Sequence, residues 1–234
     1  MIVSINQPAY LPWLGYFHRI AASDVHIVLD HVQFEKNSFT NRNKIRMKKG
    51  WCWLTVPVMT KGKFPDIYIN KMEIANETDW GKNHWATLRL NYAKAPHFSE
   101  HSTFFERTWS KRWELLNDLL LETTKYLLQD LGIKTRLLFT SEMNVEGRKD
   151  ELVLNLCKAV GADVYLSGPL GKDYLQEKIF QEASIKVAYH NYIHPVYPQA
   201  YPGFEPYMSI VDLLFNCGSL SQEILMKSQE KIHE

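Results

Sequence analysis

IVSINQPAYLPWLGYFHRIAASDVHIVL, residues 2–29, decides the fold. Residues 2–5 are a short apolar run, 7–16 are punctuated by Pro8, Pro12 and Gly15, 17–22 can close a helical turn or two, and 25–29 are rich in β-branched side chains. The order is strand, turn, short helix, strand. It returns downstream, where Leu152, Val153, Leu156, Cys157 and Val160 mark one helical face, Gly161 suits a stop, and 162–166 reads as a strand. A third unit follows, with helix to about residue 183 and a strand at 185–189. Parallel neighbours need a crossover connection, so strands alternating with helices of this length predict βαβ units.

A different stretch interrupts them. Residues 51–58 and 66–69 look like strands separated by a Lys/Gly turn. Over 81–131, Trp85, Leu88 and Tyr92 keep helical spacing, Pro96 breaks it, and a longer pattern of Trp109, Trp113, Leu116, Leu119, Leu120 and Leu127 runs to Gly132. No repeat, low-complexity tract or Gly/Ser linker divides the chain. The expectation is α/β: a Rossmann-like three-layer fold with a mostly parallel sheet, a β-hairpin insertion and a helical layer. It would form one domain over 1–234, with the β/helical insertion at about 51–131.

Across 234 residues, 27 Lys+Arg against 26 Asp+Glu leave a formal charge of +1, which argues against a nucleic-acid or general polyanion binder. Aromatic residues reach 13%, enough to supply ligand-stacking surface as well as core. No apolar run approaches the ~18 residues of a membrane span, and MIVSINQP lacks a basic leader and cleavage site, so neither membrane insertion nor export is expected. Cys52, Cys157 and Cys217 are far apart and odd in number, which fits a reduced, cytoplasmic protein.

Ligands of open parallel sheets sit at the carboxyl ends of strands. The first such turn, QPAYLPWLGY, has neither dinucleotide-fingerprint nor Walker spacing. Its prolines would display Gln7, Tyr10, Trp13 and Tyr16, and rigid aromatics beside an amide suit a ring-bearing ligand; equally, those rings can pack the turn onto the sheet. After the second strand, Lys36, Arg42, Lys44, Arg46, Lys48 and Lys49 occur with no acidic residue between 36 and 50. Arg42 could grip a diphosphate or carboxylate in fork geometry beside Asn41 and Asn43, while 44–49 reads as a solvated basic hairpin. Ser167-Gly168-Pro169-Leu170-Gly171-Lys172 follows a strand and precedes helix-compatible residues, so its backbone N–H groups and Lys172 could hold an anion, although a tight turn also needs glycine. HPVYPQAYP, residues 194–202, would fix His194, Tyr197 and Gln199 in an extended array. As a general base His194 would be worth roughly 10²- to 10⁴-fold in rate.

Other patterns carry less. His97-Phe98-Ser99-Glu100-His101 fits a zinc-peptidase spacing but sits at a helix break, so no metal site is expected. The cysteines fall on apolar positions and none resembles an activated nucleophile. Ser209 with Asp212 three residues on, and Gly218 as a stop, read as helix capping.

QPAYLPWLGYF, LDHVQFEKN with NRNKI, WLTVPV, YLSGPLGKDYL, HPVYPQ and SIVDLLFNCG, in this order from Gln7 to Gly218, resemble the WbqC-like family of bacterial proteins. That family's pattern usually opens His-Gln-Pro; here Asn6 holds the first position and can only hydrogen-bond. The resemblance implies a transferase of O-antigen and other surface (lipo)polysaccharide biosynthesis, moving glycine or a similar aminoacyl group onto a sugar. Its substrate would be a sugar nucleotide or lipid-linked sugar, ATP or an activated aminoacyl donor would supply the acyl group, and other polysaccharide enzymes would be partners. Gln7, Tyr10, Tyr16, Gln33, Asn41, Tyr197 and Gln199 would contact substrate, while Lys36, Arg42, Ser167 and Gly168 would meet its phosphates. The catalytic candidates are His194, taking a proton from the attacking amine or hydroxyl, and Lys172, neutralising phosphate. Two other readings stand beside this one: a nucleotidyltransferase-like or adenylate-forming enzyme, and a non-catalytic sugar-nucleotide binding module.

Overall fold

The computed structural model describes residues 1–62 and 67–227. Five strands form a parallel sheet: β1 Ile2–Asn6, β2 Val25–Val28, then, after two strands outside this sheet, β5 Arg136–Phe139, β6 Val164–Ser167 and β7 Lys186–Tyr189. Their order is β5-β2-β1-β6-β7. Helix α1, Leu14–Ala21, links β1 to β2, and among the later helices α5, Lys149–Val160, links β5 to β6 and α6, Glu177–Glu182, links β6 to β7. Strand alternation divides the core: Val3, Ile5, Val25 and Ile27 pack with Leu156 and Cys157 of α5 and Phe180 of α6. Tyr16, Phe17 and Ile20 of α1 belong to a second cluster that continues into the helical layer. Helices on both faces of a parallel sheet make this a three-layer α/β fold.

The interruption lies between β2 and β5. Hairpin strands β3, Arg42–Arg46, and β4, Trp51–Thr55, pair antiparallel, followed by α2 Trp80–Tyr92, α3 Phe98–Ser110 and α4 Leu116–Asp130. The insertion therefore starts before residue 51, and β4 pairs with the basic segment rather than with 66–69. Within that second predicted strand, residue 66 lies outside the described residues, Tyr68 makes a single antiparallel bridge to Gln33, and Ile69–Lys71 is a turn of 3-10 helix. The helical pattern from Trp109 to Leu127 is two helices. Residues 113–115 are extended because Glu73 bridges Leu115, Ile74 N–H donates to the Glu114 carbonyl and Leu116 N–H to that of Met72. At Gly81 a Cβ would stand 2.2 Å from the Trp109 carbonyl oxygen, so α2 and α3 pack at a distance that admits no side chain there.

A further helical pair follows, α7 Ile210–Cys217 and α8 Ser221–Met226, with α8 packed beside α1. Ser209 caps α7 as expected, its Oγ accepting from Val211 N–H at 3.4 Å. Asp212 does not join that cap; its carboxylate turns into the core, towards Tyr92 and Tyr197. Ser209 N–H donates to the Lys44 carbonyl and Ile210 N–H to that of Pro12, which ties hairpin, first turn and α7 together.

Candidate functional site

In this strand order the chain leaves β1 towards β2 on one side and returns after β5 to β6 on the other. The loops that follow β1 and β6 diverge at their carboxyl ends, and a crevice opens between them. A cleft of about 560 Å³ occupies it. Asn6, Gln7 and Trp13 line it from the first turn, Tyr16 and Arg19 from α1, Gly168 to Gly171 and Tyr174 from the loop after β6, and His190 from the end of β7. Phe39, half exposed, forms a rim, and its carbonyl accepts from Tyr10 N–H.

Gly15, Tyr16 and Arg19 reach the cleft together because positions one turn apart share a helix face. Gly15 is required because Trp13 folds back over it, its ring 2.3 Å from where a Cβ would sit. The Arg19 side chain, 8% exposed, brings Nη1 to 2.4 Å from where a Cβ on Gly168 would stand. Burial lowers its pKa from the usual arginine value, and the groups that act against this are Tyr165, Tyr16 and Tyr174 rather than a carboxylate. Beside it, His190 Nε2 lies 2.8 Å from His18 Nδ1. Burial, then His18, then Arg19, push the His190 pKa down to about 3, so its ring is neutral at pH 7. A neutral imidazole at a cleft wall can hydrogen-bond a bound amine or hydroxyl, while a pKa this low makes it a poor proton acceptor at pH 7.

Of the sequence-predicted residues, Gln7, Tyr16 and Gly168 line this cleft, and Ser167 lies fully buried beneath it. Tyr10 does not. It is fully buried, its hydroxyl accepting from Trp109 Nε1–H at 2.9 Å and donating to His84 Nδ1 at 2.8 Å. Tyr10→Phe should therefore cost about 2 kcal/mol by leaving both nitrogens without a partner. Thermal melting is expected to fall by roughly 5 °C, with ligand binding in the cleft unchanged; a variant that melts like the parent but binds less would return Tyr10 to the site.

Lys36, Asn41 and Arg42 line a separate hollow of about 210 Å³ against the hairpin. Asn41 Nδ2 is spent on the Val56 carbonyl at 2.8 Å, and the Arg42 guanidinium stacks 4.4 Å over the Trp53 ring and donates to the Asn37 carbonyl. Gln33 is exposed outside both cavities, and Lys172 is exposed with Nζ 5.3 Å from the Tyr189 ring. His194 packs among Trp13, Tyr197, Phe204 and Tyr207. Its Nδ1–H donates to the Pro195 carbonyl at 2.8 Å and its Nε2 accepts from Tyr207 N–H at 3.2 Å, so both nitrogens are occupied and neither faces the cleft. Tyr197 and Gln199 hold the buried Asp212 carboxylate at 2.9 and 2.7 Å. The structure does not bring Tyr10, Arg42 and His194 together around one cavity: core packing, ring stacking and backbone hydrogen bonds hold them apart.

Arg19 and His190 are among the cleft residues that the sequence reading missed. The available signal was a cation one turn after Gly15 in an otherwise apolar helix, and a histidine at the carboxyl end of a predicted strand. Elsewhere, His97 Nδ1 pairs with Glu100 and His101 Nδ1 with the Tyr126 hydroxyl, and among the described residues no cluster of three metal-ligating side chains occurs. Burial pushes the Cys157 thiol up to about 12 and that of Cys217 to about 11, which opposes thiolate chemistry.

Among curated proteins, the chain is 38% identical over 228 residues to Uncharacterized protein Rv1507c of Mycobacterium tuberculosis, covering 95% of this chain and 96% of that one. No solved structure matches it. The pattern of the WbqC-like protein family matches residues 7–224, a span that takes in the first turn, α1 and the loop after β6 that build the cleft, and the chain belongs to that family.

Proposed function

We propose that this protein is a transferase of bacterial surface-polysaccharide biosynthesis, O-antigen included, which moves glycine or a similar aminoacyl group onto a sugar held in the β1/β6 cleft. The observation that carries the reading is the cleft's position: it opens at the carboxyl edge where the sheet reverses its winding, with Trp13, Tyr16, Phe39 and Tyr174 around it. Such rings suit the faces of a sugar or base, and the family resemblance points to the polysaccharide context. A sugar nucleotide or lipid-linked sugar would be the acceptor. Its amine or hydroxyl would attack the acyl carbon, forming the C–N or C–O bond while the bond from acyl carbon to its leaving group breaks, and its proton would pass to the departing group or to solvent. ATP or a preactivated aminoacyl donor would supply the acyl group.

The strand order also supports a second reading, nucleotidyl or adenylyl transfer, because in folds wound this way nucleotide phosphates dock against the first βα turn. Incubation with glycine, an amino-sugar nucleotide and either ATP or preactivated glycine separates the readings. Acyl transfer without ATP turnover supports the first, pyrophosphate release from ATP the second, and tight binding without turnover a binding module. The decisive experiment is mass spectrometry of the surface polysaccharide with and without the gene. An aminoacyl mass lost on deletion is expected; an unaltered polysaccharide would end the transferase reading.

A further inference from the structure

Two buried arginines in this protein are treated differently. Arg46, 3% exposed, discharges its Nη groups on the carbonyls of Met47, Gly50 and Pro202 at 3.0, 2.8 and 2.9 Å, with Glu205 3.9 Å away. Arg19 is nearly as buried, yet among the described residues its guanidinium has no carbonyl or carboxylate partner, and the groups that act on it are tyrosines. Removing a guanidinium from water costs several kcal/mol unless an anion and hydrogen bonds replace the lost hydration. Arg19 is among the residues that line the cleft. The same wall holds the amino terminus of α1, which has no side-chain cap and no acidic residue in its first turn, one turn from Arg19 through Gly15. A fixed cation and an uncapped helix terminus together favour a dianionic group over a single carboxylate. The opposite wall is cleared for it, since any side chain at Gly168 would collide with Nη1.

We propose that Arg19 is the anion-binding residue of the cleft, gripping phosphoryl oxygens of a phosphorylated, ring-bearing ligand, with Gly168 left without a side chain so that the guanidinium can reach them. This rests on the reading of the cleft as the substrate site and names the substrate class. It also replaces Arg42 and Lys172, the cations that the sequence favoured, with one that the fold encloses.

Calorimetric titration of the full chain tests it, with inorganic pyrophosphate, UDP, ADP, their nucleosides and glycine as probes. At least one diphosphate should bind the wild-type protein about 10-fold or more tighter than its nucleoside. Arg19→Gln should weaken that binding by about 10- to 100-fold, and Arg42→Gln should leave it unchanged. Should Arg19→Gln fail to fold, Gly168→Ala keeps the charge and displaces the guanidinium, and is expected to weaken binding about 10-fold. Equal binding of nucleoside and diphosphate, no binding of any phosphorylated probe, or undiminished binding by the folded Arg19→Gln and Gly168→Ala variants (an adventitious ion only) would each overturn the proposal. Arg19-dependent binding of glycine alone would assign the site to a carboxylate and overturn the phosphoryl assignment. Arg19-dependent diphosphate binding beside an unaltered polysaccharide would remove the transferase reading and leave this site standing; the converse would remove only the site.

Discussion

Between pH 7.5 and 5.5 the protein is expected to lose about 4 kcal/mol of folding stability through three histidines, roughly 1.4 kcal/mol each. Burial, aided by the charge of Arg19, holds His26 near a pKa of about 3, and its Nε2 has no partner to receive a proton's hydrogen bond. His84 stands at about 4 because burial outweighs the Thr55 carbonyl, and His190 at about 3 through burial, His18 and Arg19. All three folded values lie below the ordinary 6.5, so the unfolded chain binds protons first as the pH falls. The stabilisation is complete above pH 6.5 and drains away towards pH 3 to 4. His194 and His101, also lowered by burial, act in the same sense. Asp212 acts in the opposite one, since burial raises its pKa and its contribution is lost as the pH rises. Denaturant unfolding at the two pH values measures the difference, and His84→Gln should shrink it by about a third. Stability that stays level across this window would mean that these rings are not held neutral by burial.

The second large effect is expected at Asp212, which is fully buried in the first turn of α7. Its carboxylate accepts from Tyr92 and Tyr197 hydroxyls at 2.8 and 2.9 Å and from Gln199 Nε2 at 2.7 Å. Tyr92 Oη in turn accepts Arg46 N–H of the hairpin at 2.8 Å, and Gln199 exchanges two hydrogen bonds with the backbone of Glu205, both 2.9 Å. One side chain thus joins α2, α7, the hairpin and the proline-rich loop. Asp212→Ala would strand three donors at about 1–3 kcal/mol each. Loss of a carboxylate that burial already disfavours offsets part of this, and the net cost should be about 3–5 kcal/mol, or roughly 10 °C in Tm. Asp212→Asn keeps an acceptor and should fall between. A change below about 1 kcal/mol for the alanine variant would show that the cluster is solvated or rearranges freely.

The legible parts of the fold were those where local pattern and tertiary role coincide. β1, α1 and β2 occur close to where their periodicity put them, and Gly161 ends α5 in the left-handed conformation, φ 70°. β5 escaped notice because Arg-Leu-Leu-Phe is too short to show a period, and only its register beside β2 makes it a strand. The gap between α3 and α4 was hidden because Trp109, Trp113 and Leu116 keep helical spacing while 113–115 are drawn into bridges with 73–74. Of the cleft-lining residues, Gln7, Tyr16 and Gly168 were legible from turn chemistry. Arg19 was not, since a cation near a helix carboxyl end reads as ordinary dipole compensation.

From its sequence alone, this protein's α/β class is determined: apolar strands alternating with short helices admit a parallel sheet, and the turns after the strands it shows can be located, because both follow from patterns among near neighbours in the chain. Which charges matter was decided only in three dimensions. Arg42 and Lys172 stand out along the chain yet end on aromatic surfaces, while Arg19 acquires its significance from Gly168, nearly 150 residues away, which packs against its guanidinium. Burial is a property of the assembled layers, and the energy of a charge depends more on the enclosure around it than on the residues beside it in sequence.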